Sequence, residues 1–243
     1  MKDDIFPDGV VFFEDLVFDA STDQDLHLML DSPGGDGETA VRLVRSAQAR
    51  CRELTVIVPD RAKSAATLLT MGAHHIIMGP TSDLGPVDPQ FRVEGGLTSA
   101  KDIIAAVEYA ERAVQDRPET YPIHASLLAN VTALMVQAAR SAIARTDQVA
   151  KEALSSCTGR TAQEVIDMWE TLKKPLAEEP ADHSAVFDAQ AALEAGLPVT
   201  VLDPSSRQWQ FIWRLWVKYA LIQAPVYEGA YSSQILRLPP SPS

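Results

Sequence analysis

Leu26-His27-Leu28-Met29-Leu30-Asp31-Ser32-Pro33-Gly34-Gly35-Asp36-Gly37 and Leu54-Thr55-Val56-Ile57-Val58-Pro59-Asp60-Arg61-Ala62-Lys63-Ser64-Ala65-Ala66-Thr67 decide the fold. Each opens with a short apolar run closed by turn residues, the pattern of a buried strand. Each continues with helical spacing. After Gly37 come Ala40, Val41, Leu43, Val44 and Ala47, and after Ser64 come Ala65, Leu68, Leu69 and Met71. Strand, glycine turn, helix, strand, serine turn and helix make a βαβ crossover, which requires parallel strands.

That topology suggests chemistry. The C-terminal ends of parallel strands open onto one crevice, and ligands bind there. Gly34-Gly35 and Ser64 lie just past two such ends. Adjacent glycines let backbone N–H groups turn toward an anion. A serine at a strand-to-helix turn presents its hydroxyl beside backbone donors, the minimum needed for acyl transfer. The same residues have a plain structural reading, because Gly-Gly is common after strands and Ser is a common helix N-cap.

Composition narrows the classes. The 243 residues include 46% hydrophobic and 22% charged residues, ordinary for a globular chain, and allow one large domain or two small ones. A net charge of -12 argues against nucleic acid and against docking on an anionic bilayer. Two cysteines, Cys51 and Cys157, are too few for a disulfide framework. No metal-ligand spacing and no Walker-type phosphate loop occur, so no cofactor is expected. No apolar run approaches the roughly twenty residues of a membrane-spanning helix. Met1-Lys2-Asp3-Asp4 lacks the features of a signal peptide, so a cytoplasmic location is the default expectation.

A resemblance sharpens the reading. Asp31-Ser32-Pro33-Gly34-Gly35 resembles the Ser-Pro-Gly-Gly turn of Clp-fold serine peptidases, and Lys63-Ser64-Ala65 stands where they carry the nucleophile turn. Leu84-Gly85-Pro86-Val87-Asp88-Pro89-Gln90 resembles the Leu-Gly-Pro-x-Asp-Pro-Gln signature of one branch, the serine dehydrogenase proteinase family, related to signal peptide peptidase A. His183, with Gly196-Leu197-Pro198-Val199 after it, also fits that pattern. The likeness spans roughly residues 24 to 202.

It implies an α/β fold, a Clp/crotonase-like spiral of βαβ units with a mostly parallel sheet, plus long helices for oligomer contacts. It also implies a peptide or protein substrate, a homo-oligomer and Ser64 as nucleophile. Backbone N–H groups of Gly34 or Gly35 and of Ala65 would hold the oxyanion. The base is left to Lys63, His183 and Lys101, in that order. Where Clp proteases carry a histidine this chain offers Asp88, which argues against their Ser-His-Asp triad. Ala65-Ala66 replaces the usual glycines after the serine; the N–H groups persist, but backbone freedom falls. Two rival readings are a Clp-fold scaffold that has lost its base and a crotonase-type acyl-CoA enzyme.

The remaining chain divides as follows. Residues 1–205 are expected to form the peptidase domain, with a helical insertion at about 98–175. Gly9 to Phe18 reads as an edge strand or an irregular lead-in. His74 to Met78 reads as a strand, Thr98 to Gln115 as a helix, and Ala125 to about Ser155 as one long helix. Thr161-Ala162-Gln163-Glu164 is a capping box that opens a short helix. Phe187 to Ala195 reads as a helix and Leu197 to Leu202 as the last strand. Residues 206–230 hold an aromatic helix with three of the four tryptophans. Its burial against protein is favoured over membrane contact by residues 207–221. The Pro-Ser-rich tail, 231–243, is expected to be disordered.

Overall fold

The computed structural model describes residues 1–93, 96–178, 185–222, 224–229 and 236–237. In chain order the elements are α1 (Val10–Leu16), β1 (Leu26–Met29), α2 (Gly37–Gln48), β2 (Leu54–Val58), β3 (Arg61–Ala62), α3 (Ala65–Met71), β4 (His75–Met78), β5 (Asp83–Leu84), β6 (Gln90–Val93), β7 (Gly96–Ser99), α4 (Ala100–Asp116), α5 (Tyr121–Leu127), α6 (Ala133–Ser155), α7 (Ala162–Lys173), β8 (Phe187–Asp188), α8 (Ala189–Glu194), β9 (Val199–Val201), α9 (Arg207–Ala220), β10 (Val226–Tyr227) and β11 (Leu236–Arg237). The chain divides into two compact units, one made of Met1–Val87 and Val149–Ser243, the other of Asp88–Gln148.

The first unit is built on a four-stranded parallel sheet in the order β1-β2-β4-β9. One row crosses it from Leu28 to Val56, Ile76 and Val199, all buried. These strands are runs of branched apolar residues because helices and loops exclude water from their faces. Helix α2 meets the sheet with Ala40, Val41, Leu43, Val44 and Ala47, and α3 is buried along its whole length. Trp169 of α7, with no exposed surface, joins the same core. A second, three-stranded sheet, β3-β5-β8, is formed by the segments that follow β2, precede Gly85 and precede α8.

The second unit holds the antiparallel hairpin β6–β7, helices α4 and α5, and the first turns of α6. Its core is small: Ala100, Ile103 and Ala139, with Phe91, Ile104, Val131, Met135 and Val136 against them.

Several expectations are corrected. Residues 10–16 are helical, because Pro7 starts a turn and Phe13 and Val17, four apart, are both buried. The single helix expected from Ala125 is two, since Thr132 Oγ1 accepts the Met135 N–H and starts α6 anew. Thr98 and Ser99 end β7, and Ser99 then caps α4 through the Lys101 N–H. Phe187 and Asp188 pair with β5 before Asp188 caps α8. The β6–β7 hairpin went unread, although Gly95-Gly96 between two short apolar runs was its signal. The capping box at Thr161 forms as expected.

In α9 Trp209 and Ile212 are buried, while Phe211 and Leu215 stay exposed, as does Leu221 just past its end. A side chain on Gly79 would overlap the Trp209 ring, which lies against that backbone. Trp213 packs against Trp216 at a 38° tilt, with ring centroids 4.8 Å apart. Of the tail, residues 236–237 pair with β10, and the rest lies outside the described residues. Among the described residues no helix is long and apolar enough to cross a membrane.

Candidate active site

Strand β2 delivers the chain to Pro59-Asp60 and β3 turns it back into Ser64. Ser64 holds φ 50° and ψ -115°, the one positive φ at a non-glycine residue among those described. An L-residue adopts this conformation only when its surroundings over-determine it, at a cost of about 1–3 kcal/mol, and such strain collects at functional turns. The surroundings are visible. Thr67, buried one turn into α3, bonds Ala62 O at 2.7 Å and Gly85 O at 2.9 Å, and accepts the Gly85 N–H at 3.1 Å. Ala66 N–H returns to Lys63 O at 2.8 Å. The turn is thus fixed on both sides of the serine, which is half-buried.

The Ser-Pro-Gly-Gly turn lies against this elbow. Ser32 bridges Ala62: its N–H donates to Arg61 O at 3.1 Å, and its carbonyl accepts from Lys63 N–H at 3.0 Å. Gly34, at φ +109°, passes so close that a Cβ there would sit 2.7 Å from Ser64 Cβ and 3.3 Å from Ala65 N. Glycine is therefore required twice over, by backbone angle and by space. Gly34 N–H is engaged by Ser32 Oγ at 3.2 Å. The N–H groups of Gly35 and Ala65 meet no acceptor among the described residues. Two unengaged donors from neighbouring turns beside a serine are what an oxyanion hole needs.

The candidate bases differ in placement. Lys63 reaches across Gly85, where a Cβ would strike its side chain, to pair with Asp83 and donate to Ala185 O at 3.2 Å. Its ammonium is thereby directed at Asp83 and Ala185. Lys101 stands half-buried in the first turn of α4, in the second unit. His183 lies outside the described residues. Among the described residues no side chain is hydrogen-bonded to Ser64 Oγ.

The strand ends around the elbow carry alternating charge. Arg61 Nε lies 3.5 Å from the buried Asp31 carboxylate, and Trp216 Nε1 donates to the other Asp31 oxygen at 3.4 Å. Burial, with Asp31 nearby, raises the pKa of Asp60. The role of Asp83 as partner of both Lys63 and the Phe187 N–H was not legible beforehand, because it depends on β8 returning from a hundred residues away.

The parallel α/β core thus presents a strained serine at a strand-to-helix turn, with a Gly-Gly turn packed against it. Residues 16–120 match the family of ClpP-like SDH-type serine proteinases, which bears out the resemblance read from the sequence. Two uncharacterized proteins of Methanocaldococcus jannaschii are also similar. One is 38% identical over 89 residues, 37% of this chain and 30% of that protein. The other is 32% identical over 68 residues, 28% of this chain and 23% of that protein. The chain thus aligns with less than a third of either relative's length.

Proposed function

We propose that the chain is a serine peptidase acting through an acyl-enzyme on Ser64. The observation that carries this reading is the strained Ser64 backbone, with the unengaged N–H groups of Gly35 and Ala65 on adjoining turns. Ser64 Oγ attacks the peptide carbonyl carbon and its proton passes to a basic side chain. The tetrahedral oxyanion is held by the Gly35 and Ala65 N–H groups. The departing amine takes the proton, leaving an ester on Ser64, and water then releases the acid.

For the base we favour His183, next in the order the resemblance implies, because Asp83 and Ala185 already engage the Lys63 ammonium. Lys63 then holds the elbow in place. Exposed Ile123, Leu127 and Leu134 on the helices of the second unit support assembly into a homo-oligomer. A non-catalytic scaffold is the competing reading, favoured by the absence of a partner for Ser64 Oγ among the described residues.

A fluorophosphonate probe read by intact mass tests the proposal. Wild type is expected to take one adduct and Ser64→Ala none. His183→Ala should lower the labelling rate by roughly a hundred- to ten-thousand-fold, the usual contribution of a general base. Lys63→Arg keeps the pair with Asp83 and cannot act as a base, so it should label near the wild-type rate. An unlabelled wild type that is folded and oligomeric would favour the scaffold.

A further inference from the structure

The N-terminal segment runs beside the Ser-Pro-Gly-Gly turn as an added parallel strand. Asp31 N–H donates to Met1 O at 3.1 Å and Asp3 N–H to Asp31 O at 3.3 Å. Ile5 then straddles Gly35: its N–H donates to Gly34 O at 2.8 Å, and its carbonyl accepts from Asp36 N–H at 2.7 Å. These two bonds hold the peptide groups on either side of Gly35. Gly35 sits at φ +143°, and a Cβ on it would overlap the Ile5 carbonyl. In a strand successive N–H groups point to opposite edges. With Asp36 N–H turned to Ile5, the Gly35 N–H is turned away from it, and it is this group that finds no acceptor among the described residues.

The segment is itself firmly seated. Ile5 is 1% exposed. Lys2 exchanges two backbone bonds with Val226 of β10, at 2.9 and 2.8 Å. Its ammonium bonds Tyr219 O at 3.2 Å and Ala220 O at 3.4 Å, together with Ile222 O, at the C-terminal end of α9. The clamp on the Gly-Gly turn is therefore anchored from behind. None of it falls within residues 16–120, the part that matches the proteinase family.

From this geometry we infer that Ile5 is a positioning residue of the catalytic site, its main chain fixing the direction of the Gly35 N–H. The inference rests on Ser64 being the nucleophile and Gly35 an oxyanion donor. An oxyanion donor helps only when it is aimed before charge develops, and loss of one such donor lowers rates by about a hundred- to a thousand-fold. The backbone of Ile5, and not its side chain, carries the effect.

The test replaces the amide N–H of residue 5 by an ester oxygen in the full-length protein, using the α-hydroxy acid analogue of isoleucine. This deletes the bond to Gly34 O and keeps the side chain. Ile5→Ala is the complement, keeping both backbone bonds and trimming the buried side chain. Each protein is phosphonylated with a fluorophosphonate: the Oγ–P bond forms, fluoride leaves, and the hydroxyl proton passes to the base. The maximal rate constant and the half-saturating concentration are measured separately, beside the melting temperature. The ester is expected to lower the maximal rate constant at least tenfold with half-saturation within twofold. Ile5→Ala is expected to lower the melting temperature and to lower the rate constant by clearly less than the ester does. An ester protein labelled at the wild-type rate overturns the inference alone, and so does an Ile5→Ala rate loss equal to that of the ester. A folded wild type that takes no adduct on Ser64 overturns the peptidase reading and the clamp's catalytic role with it.

Discussion

Gly34→Ala is the most informative single substitution in the turn. Two costs add. Holding an L-residue near φ +109° costs about 1–2 kcal/mol. The new methyl would lie 2.6 Å from Lys63 O and 2.7 Å from Ser64 Cβ. The first of these atoms is a backbone carbonyl that accepts the Ala66 N–H at 2.8 Å, in a residue whose own N–H is held by Ser32 O, so it cannot yield as a side-chain tip would. Overpacking of this kind costs about 1–3 kcal/mol. The sum is about 3.5 kcal/mol at mid-range, which at a urea m-value of about 3 kcal/mol/M lowers the unfolding midpoint by roughly 1.2 M. Gly196→Ala separates the two costs, because Gly196 sits at φ +88° with nothing within 4 Å of the added Cβ. It should lose only the conformational part, about 1–2 kcal/mol. Unfolding followed by tryptophan fluorescence, with fully buried Trp169 as reporter, measures both. Relaxation that relieves the clash must move Ser64, so fluorophosphonate labelling should fall roughly a hundredfold in Gly34→Ala and stay unchanged in Gly196→Ala. Equal midpoints for the two variants, with Gly34→Ala still labelled, would refute the claim that close approach at Gly34 sets the nucleophile turn.

Ser64→Gly should stabilise the protein by about 1 kcal/mol, since glycine adopts φ 50° without strain, while abolishing labelling; a midpoint below wild type would contradict the strain. His74 accepts the Leu54 N–H on Nδ1 at 3.0 Å, so Nε2 carries the proton toward Thr158 Oγ1 at 2.9 Å, and burial lowers its pKa from the ordinary 6.5. The unfolded chain then binds the proton more tightly, so His74 contributes fully above pH 6.5 and its contribution is lost as pH falls below that value. Melting curves between pH 7.5 and 5 should therefore be steeper in wild type than in His74→Gln; parallel curves would count against it. Arg160 donates to Met71 O and Ala73 O at 2.7 Å each and to Leu154 O at 3.1 Å. Arg160→Met should cost about 2–3 kcal/mol in urea unfolding by stranding these carbonyls, and a loss below 1 kcal/mol would show that water replaces the guanidinium.

Much of the site could be read because it is local. A short Val-, Ile- or Leu-rich run followed by glycines or serine reports a buried strand and its exit turn within a dozen residues. Gly34, Gly35 and Ser64 were singled out as candidates in this way. The lead-in helix was misread since Val10-Val11-Phe12-Phe13 has no polar residue to reveal its period. The break before α6 was missed because Thr132 is only one of several cap-competent residues in an unbroken apolar pattern. The choice between Gly34 and Gly35 as donor could not be made, because it rests on whether Ser32 Oγ turns back to the Gly34 N–H.

The sequence by itself determined the alternation of β1, α2, β2, α3 and β4, the parallel sense of their sheet and the position of the serine turn. Each of these follows from hydrophobic period and turn chemistry, which act over a few residues. Only the tertiary structure decided what the turn is made to do. The φ of Ser64 is imposed by Thr67, Gly85 and Gly34 from three separate segments. Lys63 is drawn to Asp83 and to Ala185, more than a hundred residues on. The Gly35 N–H takes its direction from Ile5, which local patterning gave no reason to connect with it. Contacts between distant segments depend on which surfaces meet when the core closes, and that is a property of the whole packing and not of any window of sequence.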